Sequence, residues 1–401
     1  MKLGILRETK IPPDRRVPFS PEQLSAMQKQ FPDLEIMVQE GGNRCFTDKE
    51  YSEAGIAVVS NPSGADILMG VKEVEIESLV PSKTYLFFSH TAKKQPYNRK
   101  LLQEIVQRKI TLVDYEYLTD KNNIRLVAFG RWAGIVGAYS GLKAYGERYR
   151  LYRLEPAHSC FDLAAMQKEL EKVRLPSIKI LITGGGRVAG GAMETMRPLN
   201  IREVTPDEFL GNSFDEPVVC RIDPWDYARR KDGAEFDLQH FFDHPDMYVS
   251  TFKPYTKVTD LFIPCHFWDP KSPVFMTKSD MREPDFKIRV IADVSCDING
   301  PIPSTIRASS IEHPLYGYDP LTEEEIPPFE LRGITVMAVD NLPGELPRDA
   351  SVDFGRQLME KVIPALAGSD EEGIVERATI VKEGQLTKHF SYLEGYLAGE
   401  E

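Results

Sequence analysis

Short apolar runs recur along the first third of the chain, each bounded by polar or turn-forming residues. They are "KLGIL" (2–6), "EIMVQ" (35–39), "DILMGV" (66–71), "TYLFF" (84–88), "ITLVDY" (110–115) and "RLVAFG" (125–130). Runs this short, rich in β-branched and aromatic residues, predict buried strands. Between them, segments such as "PEQLSAMQKQF" (21–31) and "YNRKLLQEIVQRK" (97–109) repeat apolar positions three and four apart and predict amphipathic helices. Strands alternating with helices imply βαβ units and a mostly parallel sheet. Such sheets collect ligands at the carboxyl ends of their strands.

A long helical pattern starts near Trp132, and a second βαβ series follows from "SIKILITGGGRVAGGAME". Near the end, "LPRDASVDFGRQLMEKVIPALAG" predicts another long helix. Two long helices flanking a middle domain predict that the tail returns to the first one. The expected organisation is α/β, with two doubly wound, Rossmann-like domains: residues 1–130 plus 343–401, and residues 131–342. The acidic stretch "LTEEEIPPFE" (321–330) predicts a surface loop.

Composition narrows the function. A net charge of -12 argues against a nucleic-acid or anionic-membrane partner, so an anionic substrate needs a local group of cations. Five scattered cysteines without a C-x-x-C pair fit reduced thiols in a cytoplasmic enzyme and not a disulfide framework or zinc site. The early charges of "MKLGILRETK" do not fit a signal peptide, and no apolar run is long enough to cross a bilayer.

Candidate chemistry stands at the predicted strand ends. Arg16 follows the first strand in "DRRVP", Lys72 follows "DILMGV", His90 follows "TYLFF", and Arg125 opens "RLVAFG". If the sheet is parallel, Arg16, Lys72 and His90 share one rim, a cationic group suited to a carboxylate substrate. The sharpest motif is Gly184-x-Gly186-x-x-Ala189, with Arg187 and Val188 inside it. The apolar strand "KILITG" runs into it and a helical pattern leaves it, the context of a dinucleotide-binding turn. An acid after the next strand would hold the ribose of NAD. "IREVT" puts Thr205 there, and Arg187 or Arg202 could meet the phosphate of NADP, so NAD or NADP stays open. Asp293 and Asp297 close the apolar run of "VIADVSCDINGPI", where a nicotinamide would lie or where either could cap a turn. "VDNLPGELPR", with Asn341 and Leu342, ends another strand. His240 and His244 lack a third metal ligand, so no metal is expected.

Together "DRRVPFSP", "GVKE", "KTYLFFSHTAKKQ", "RLVAFGRWAG", the glycine loop, "DVSCDINGPIP", "SIEHP" and "VDNLPGELPRDAS" resemble the alanine dehydrogenase superfamily. Within it, the pattern is similar to the lysine-forming saccharopine dehydrogenases and the lysine–ketoglutarate reductase domains. The resemblance implies two Rossmann-like domains with an active-site cleft between them and a nicotinamide cofactor. It implies Lys72 and His90 as the acid/base pair, Arg16 as a carboxylate binder, and Gln95 and Arg125 as substrate contacts. The implied partners are a small amino acid and a 2-oxo acid. An alanine dehydrogenase, a carboxyalkyl amino-acid synthase of the opine type, and a non-catalytic dinucleotide sensor stand as alternatives.

Overall fold

Five of the six early apolar runs become strands of one eight-stranded sheet. The structure, a computed structural model, describes residues 1–400. Its contacts separate two units: residues 1–129 with 347–401, and residues 130–346. In the first unit the strands lie in the order Gln385–Leu386, Thr379–Lys382, Thr111–Asp114, Thr84–Phe87, Ile67–Met69, Lys2–Ile5, Glu35–Gln39, Ala57–Val59. The six from the N-terminal segment are all parallel, and the two from the tail are antiparallel. Strand order reverses between Lys2–Ile5 and Ile67–Met69, so the rim above them is a topological switch point.

Local sequence explains the elements. Helix Pro21–Gln30 starts at Ser20, whose hydroxyl accepts from the Gln23 N–H while Gln23 reaches back to Ser20, and Pro21 cannot donate in any case. Helix Arg99–Gln107 buries Leu101, Leu102 and Ile105 on one face, against Tyr85 and Leu112 of the sheet. Each such side chain contributes about 1.5–3 kcal/mol by leaving water.

The expected strand "RLVAFG" does not form. Arg125 makes an isolated bridge to Thr119, and the chain passes into helix Gly130–Tyr149. The edge it would need, beside Thr111–Asp114, is taken by Thr379–Lys382 from the tail.

The second unit has its own eight-stranded sheet, in the order Glu324–Ile326, Leu315–Asp319, Ile334–Met337, Val290–Ala292, Leu261–Pro264, Lys179–Thr183, Val218–Ile222, Arg202–Glu203. The last six are parallel, and the first two form an antiparallel edge. Two expectations change here. "LTEEEIPPFE" contains the edge strand Glu324–Ile326, where charged residues suit a sheet margin. "IREVT" supplies only Arg202–Glu203, at the opposite edge, and Val218–Ile222 lies next to the glycine-loop strand. Burial explains the exchange: four of the five residues of "VVCRI" are buried, whereas Arg202 and Glu203 are exposed.

Helix Gly130–Tyr149 crosses helix Arg187–Met196 at backbone contact. A Cβ at Gly134 would stand 1.8 Å from the Val188 carbonyl oxygen, and one at Gly191 would stand 2.0 Å from that of Arg131. No described helix is long and apolar enough to cross a membrane.

Candidate functional site

The rim of the first unit gathers the residues that follow its parallel strands. Past Lys2–Ile5 come Glu8, Asp14 and Arg16. Past Ile67–Met69 come Lys72 and Glu73, past Thr84–Phe87 comes His90, and past Thr111–Asp114 comes Glu116. The cations were legible in the sequence, but the carboxylates that hold them were missed.

Arg16 is 3% exposed and grips Asp14 with a planar fork: Nε donates to Oδ1 at 3.0 Å and Nη2 to Oδ2 at 2.6 Å. Its guanidinium also lies 4.2 Å from the centre of the Phe129 ring. Burial alone would raise the Asp14 pKa, but the charge and hydrogen bonds of Arg16, with help from Lys72, hold it well below the carboxylate range. Glu8 receives the backbone N–H groups of Val71 (2.6 Å) and Lys72 (2.9 Å), which fixes the turn that presents Lys72. Burial outweighs those bonds and pushes Glu8 up to about 7. Lys72 is lowered from its ordinary value by burial and by the neighbouring charge of Arg16, with Asp14 pulling the other way.

His90 has φ +51°, a left-handed conformation that costs a non-glycine residue about 1–3 kcal/mol. Two features hold it there. Buried Asp114 accepts from the Ser89 N–H (2.9 Å), the Ser89 hydroxyl (2.6 Å) and the Glu116 N–H (2.8 Å), pinning the backbone beside the histidine. The ring of Phe88 stacks on the imidazole at 6.4 Å with an interplanar angle of 18°. His90 Nδ1 is 2.6 Å from Glu73 Oε1, while Lys10 Nζ donates to Glu73 Oε2 at 2.9 Å. Burial raises the Glu73 pKa, but His90 and Lys10 prevail and bring it down to about 2, so Glu73 is a fixed anion.

Arg125 and Gln95, expected to contact substrate, are each held by neighbouring side chains. Arg125 donates to the Glu116 carboxylate (2.8 Å) and carbonyl (3.1 Å), and Lys93 reaches the other Glu116 oxygen at 3.1 Å. Gln95 accepts the Tyr97 hydroxyl through its side chain and the Tyr396 hydroxyl through its carbonyl (2.5 Å). The rim is therefore a set of paired charges and not a purely cationic group.

In the second unit, Gly184 turns the chain at φ +105°, where a Cβ would meet the Cys265 carbonyl oxygen at 2.8 Å. Nothing lies within 4 Å of where a Gly186 Cβ would point, so the backbone there faces open space at the start of helix Arg187–Met196. That loop, with Val188, borders a cavity of about 800 Å³ also lined by Arg221, Asp223, Trp225, His266, Val294 and Ser295. Open backbone, a helix N-terminus and a large, mostly apolar cavity fit a dinucleotide. Ala189 is fully buried under the loop, and its size admits the close helix–strand packing.

Thr205 does not reach this cavity. It caps helix Pro206–Gly211 through a reciprocal pair with Glu208, beyond the edge strand. The acid after the adjacent strand is Asp223, bridged to Arg221 at 2.7 Å, while Arg221 also donates to the Gly184 carbonyl at 3.1 Å. Asp293 is 1% exposed and caps its own turn, accepting from the Thr305 hydroxyl (2.5 Å) and the Cys296 N–H (3.1 Å); burial pushes it up to about 6. Asp297 is half-buried, with its pKa raised by that burial. Leu342 is buried against Gly137, and the side chain of Asn341 lies against Gly344. His266 was not anticipated. It is buried, bonded through Nδ1 to the Thr183 hydroxyl at 2.8 Å, and kept neutral because burial lowers it to about 3. Its only sequence signal was its place after the strand "LFIPC".

His240 bonds to the Tyr248 hydroxyl at 3.1 Å, and among the described residues no group of three or more histidines, cysteines or acids gathers as a metal site.

Comparison with known proteins now bears on the first unit. Residues 4–136 match the family model for the N-terminal domain of alanine dehydrogenase/PNT. The matched segment covers about a third of the chain. The Lys72 and His90 turns both lie inside it. The chain is also 27% identical to saccharopine dehydrogenase [NAD(+), L-lysine-forming] of Neurospora crassa, over 82% of each chain. It is 28% identical to alpha-aminoadipic semialdehyde synthase of Arabidopsis thaliana over 98% of its length, yet spans only 41% of that longer protein. Among solved structures, L-alanine dehydrogenase superposes with a TM-score of 0.65 at 16% identity, each chain covered in full. The transhydrogenase from Sinorhizobium meliloti gives 0.59 at 16% identity, covering 96% of this chain and 100% of the other. At those identities the structures establish a shared α/β fold.

Proposed function

We propose that the chain is a nicotinamide-dependent oxidoreductase of the saccharopine dehydrogenase type, interconverting saccharopine with lysine and 2-oxoglutarate. The observation that carries this reading is the His90–Glu73 contact beside a half-buried Lys72 of lowered pKa, on the ligand-binding rim of the segment that matches alanine dehydrogenase/PNT. The relatives named for saccharopine chemistry supply the substrate class.

The residues divide the work. The nicotinamide, when bound in the glycine-loop cavity, supplies or accepts the hydride at the carbon–nitrogen bond. Condensing a neutral amine with a 2-oxo acid to the iminium moves one proton from the amine to the carbonyl oxygen and brings a second proton to that oxygen as it leaves as water. Lys72, desolvated and crowded by Arg16, gives up its proton more readily than an ordinary lysine, which suits it to relay the amine's proton. Glu73 holds His90 by Nδ1, which leaves Nε2 to give and take the second proton. Arg16, Gln95 and Arg125 are assigned to substrate carboxylates and polar groups, with Asp14 and Glu116 setting the two guanidinium orientations.

For the cofactor, Asp223 favours NAD. A carboxylate beside the glycine loop accepts from ribose hydroxyls and repels a ribose phosphate, and Arg221 is engaged with Asp223 and Gly184. Thr205 is replaced in that role. Gly184, Gly186, Arg187 and Val188 are assigned to the pyrophosphate, and the turns of Asp293–Asp297 and Asn341–Leu342 to the wall of the nicotinamide end.

Steady-state kinetics of Lys72→Met and His90→Gln test the reading. Each change should lower kcat by roughly 10²–10⁴-fold, and the double variant should lose far less than the product of the two. Near-parental kcat in both single variants would leave His90 a structural histidine.

A further inference from the structure

The cavity beside the glycine loop has apolar walls that the proposed chemistry leaves unused. Trp225 is 52% exposed, Phe242 56% and Leu238 39%, and all three line that cavity. Single exposed apolar residues are ordinary, but several converging on one space mark a binding surface. The local fold brings them there. Asp223 opens the one-turn helix Pro224–Tyr227, its N–H donating to Asp226 Oδ2 at 2.8 Å. Trp225 therefore stands two residues past the acid assigned to the ribose. Leu238 and Phe242 are four residues apart on helix Leu238–Asp243 and share one of its faces.

Trp225 is held and yet open. Its ring meets Phe236 at 6.4 Å with an interplanar angle of 73°, an edge-to-face contact. Phe236 is fixed in turn by the buried rings of Phe241 (5.6 Å) and Tyr248 (5.4 Å). An edge-to-face contact covers at most one face of the indole, so Phe236 leaves the other uncovered. The base of a nucleotide is bonded directly to its ribose. A ribose held at Asp223 thus brings its base within reach of Trp225. The neighbouring walls Pro224, Leu238 and Phe242 offer no side-chain donor or acceptor to the edge of that base.

We propose that Trp225 is the platform on which the adenine of the dinucleotide stacks, with Leu238 and Phe242 as its apolar wall, and that the site grips the base by its face and not by its edge. The assignment rests on the dinucleotide reading above, with Asp223 as the ribose acid. Stacking tolerates a change of base, because every base has a π-face. Exchanging the exocyclic amino group of adenine for the oxo group of hypoxanthine should therefore change little.

Calorimetric titration of the full chain with NADH and with ADP-ribose tests the platform, since ADP-ribose keeps the adenosine half and lacks the nicotinamide. Trp225→Leu removes the π-face and keeps an apolar side chain. It should weaken both ligands by the same factor, about tenfold or more. Trp225→Phe should hold both within about threefold of wild type, and circular dichroism verifies folding of each variant. The reduced hypoxanthine dinucleotide should bind the wild type within about threefold of NADH. Unchanged NADH affinity in Trp225→Leu, equal losses in the Leu and Phe variants, or a penalty of about tenfold or more for hypoxanthine overturns the platform while the dinucleotide reading stands. A wild-type chain that binds neither NADH nor ADP-ribose overturns that reading, and the platform with it.

Discussion

In the proposed reaction, Glu73 is the residue that turns His90 from a strand-end histidine into an oriented proton carrier. Its contact is short, its charge is fixed, and it also holds Lys10. Glu73→Gln keeps the shape and removes the charge. It should reduce kcat roughly 10-fold or more, while KM for NADH stays put. Steady-state rates would show this, and an unchanged kcat would make Glu73 a mere packing partner. For Arg16, the fork around Asp14 and the stack on Phe129 both need a planar guanidinium. Arg16→Lys should therefore raise the oxo-acid KM, with little effect on cofactor binding measured by fluorescence titration.

Glu8 makes a stability prediction. In the folded chain it titrates near 7, whereas an unfolded glutamate titrates near its ordinary 4.5. Between those values the unfolded chain has released this proton and the folded chain has kept it. The group's contribution to stability therefore falls as pH rises from 4.5 to 7. Glu8→Gln cannot ionise, so its stability relative to wild type should improve across that window. Urea denaturation at several pH values checks it; a constant difference would contradict the raised pKa.

At the scale of elements, the glycine loop and its flanking strand were readable because each small residue answers a local demand. Gly184 has the positive φ, and Gly186 has open space before it. Gly186→Val should block that space and weaken NADH binding by at least about tenfold (about 1.4 kcal/mol), with a folded protein by circular dichroism. The neighbouring strand was misread because chain order does not fix sheet order. Thr205 looked like the ribose position, but "VVCRI" is the more apolar run and takes the interior place, which brings Asp223 to the loop. Asp223→Ser should shift the ratio of kcat/KM for NADH over NADPH by at least about tenfold toward NADPH; an unchanged ratio would remove Asp223 from the ribose site. "RLVAFG" failed for a related reason, since a strand from the distant tail holds the edge it would need. The rim cations were legible as residues after apolar runs. Their carboxylate partners were not, because Asp14, Glu73 and Glu116 read as ordinary surface acids until the turns fold them inward.

At the scale of the molecule, the two units carry separate tasks in the proposed reaction: proton transfer and carboxylate binding in one, the dinucleotide in the other. This chain spans under half of the Arabidopsis synthase. An alanine dehydrogenase is the alternative reading, which makes a simple amino acid the comparison substrate. The most direct measurement is NADH oxidation followed at 340 nm with 2-oxoglutarate and either lysine or ammonium, and with pyruvate and ammonium as the third pair. Lysine with 2-oxoglutarate should give the highest kcat/KM and form saccharopine by mass spectrometry. Faster turnover of pyruvate with ammonium, or no oxidation of NADH with any pair, would contradict the account.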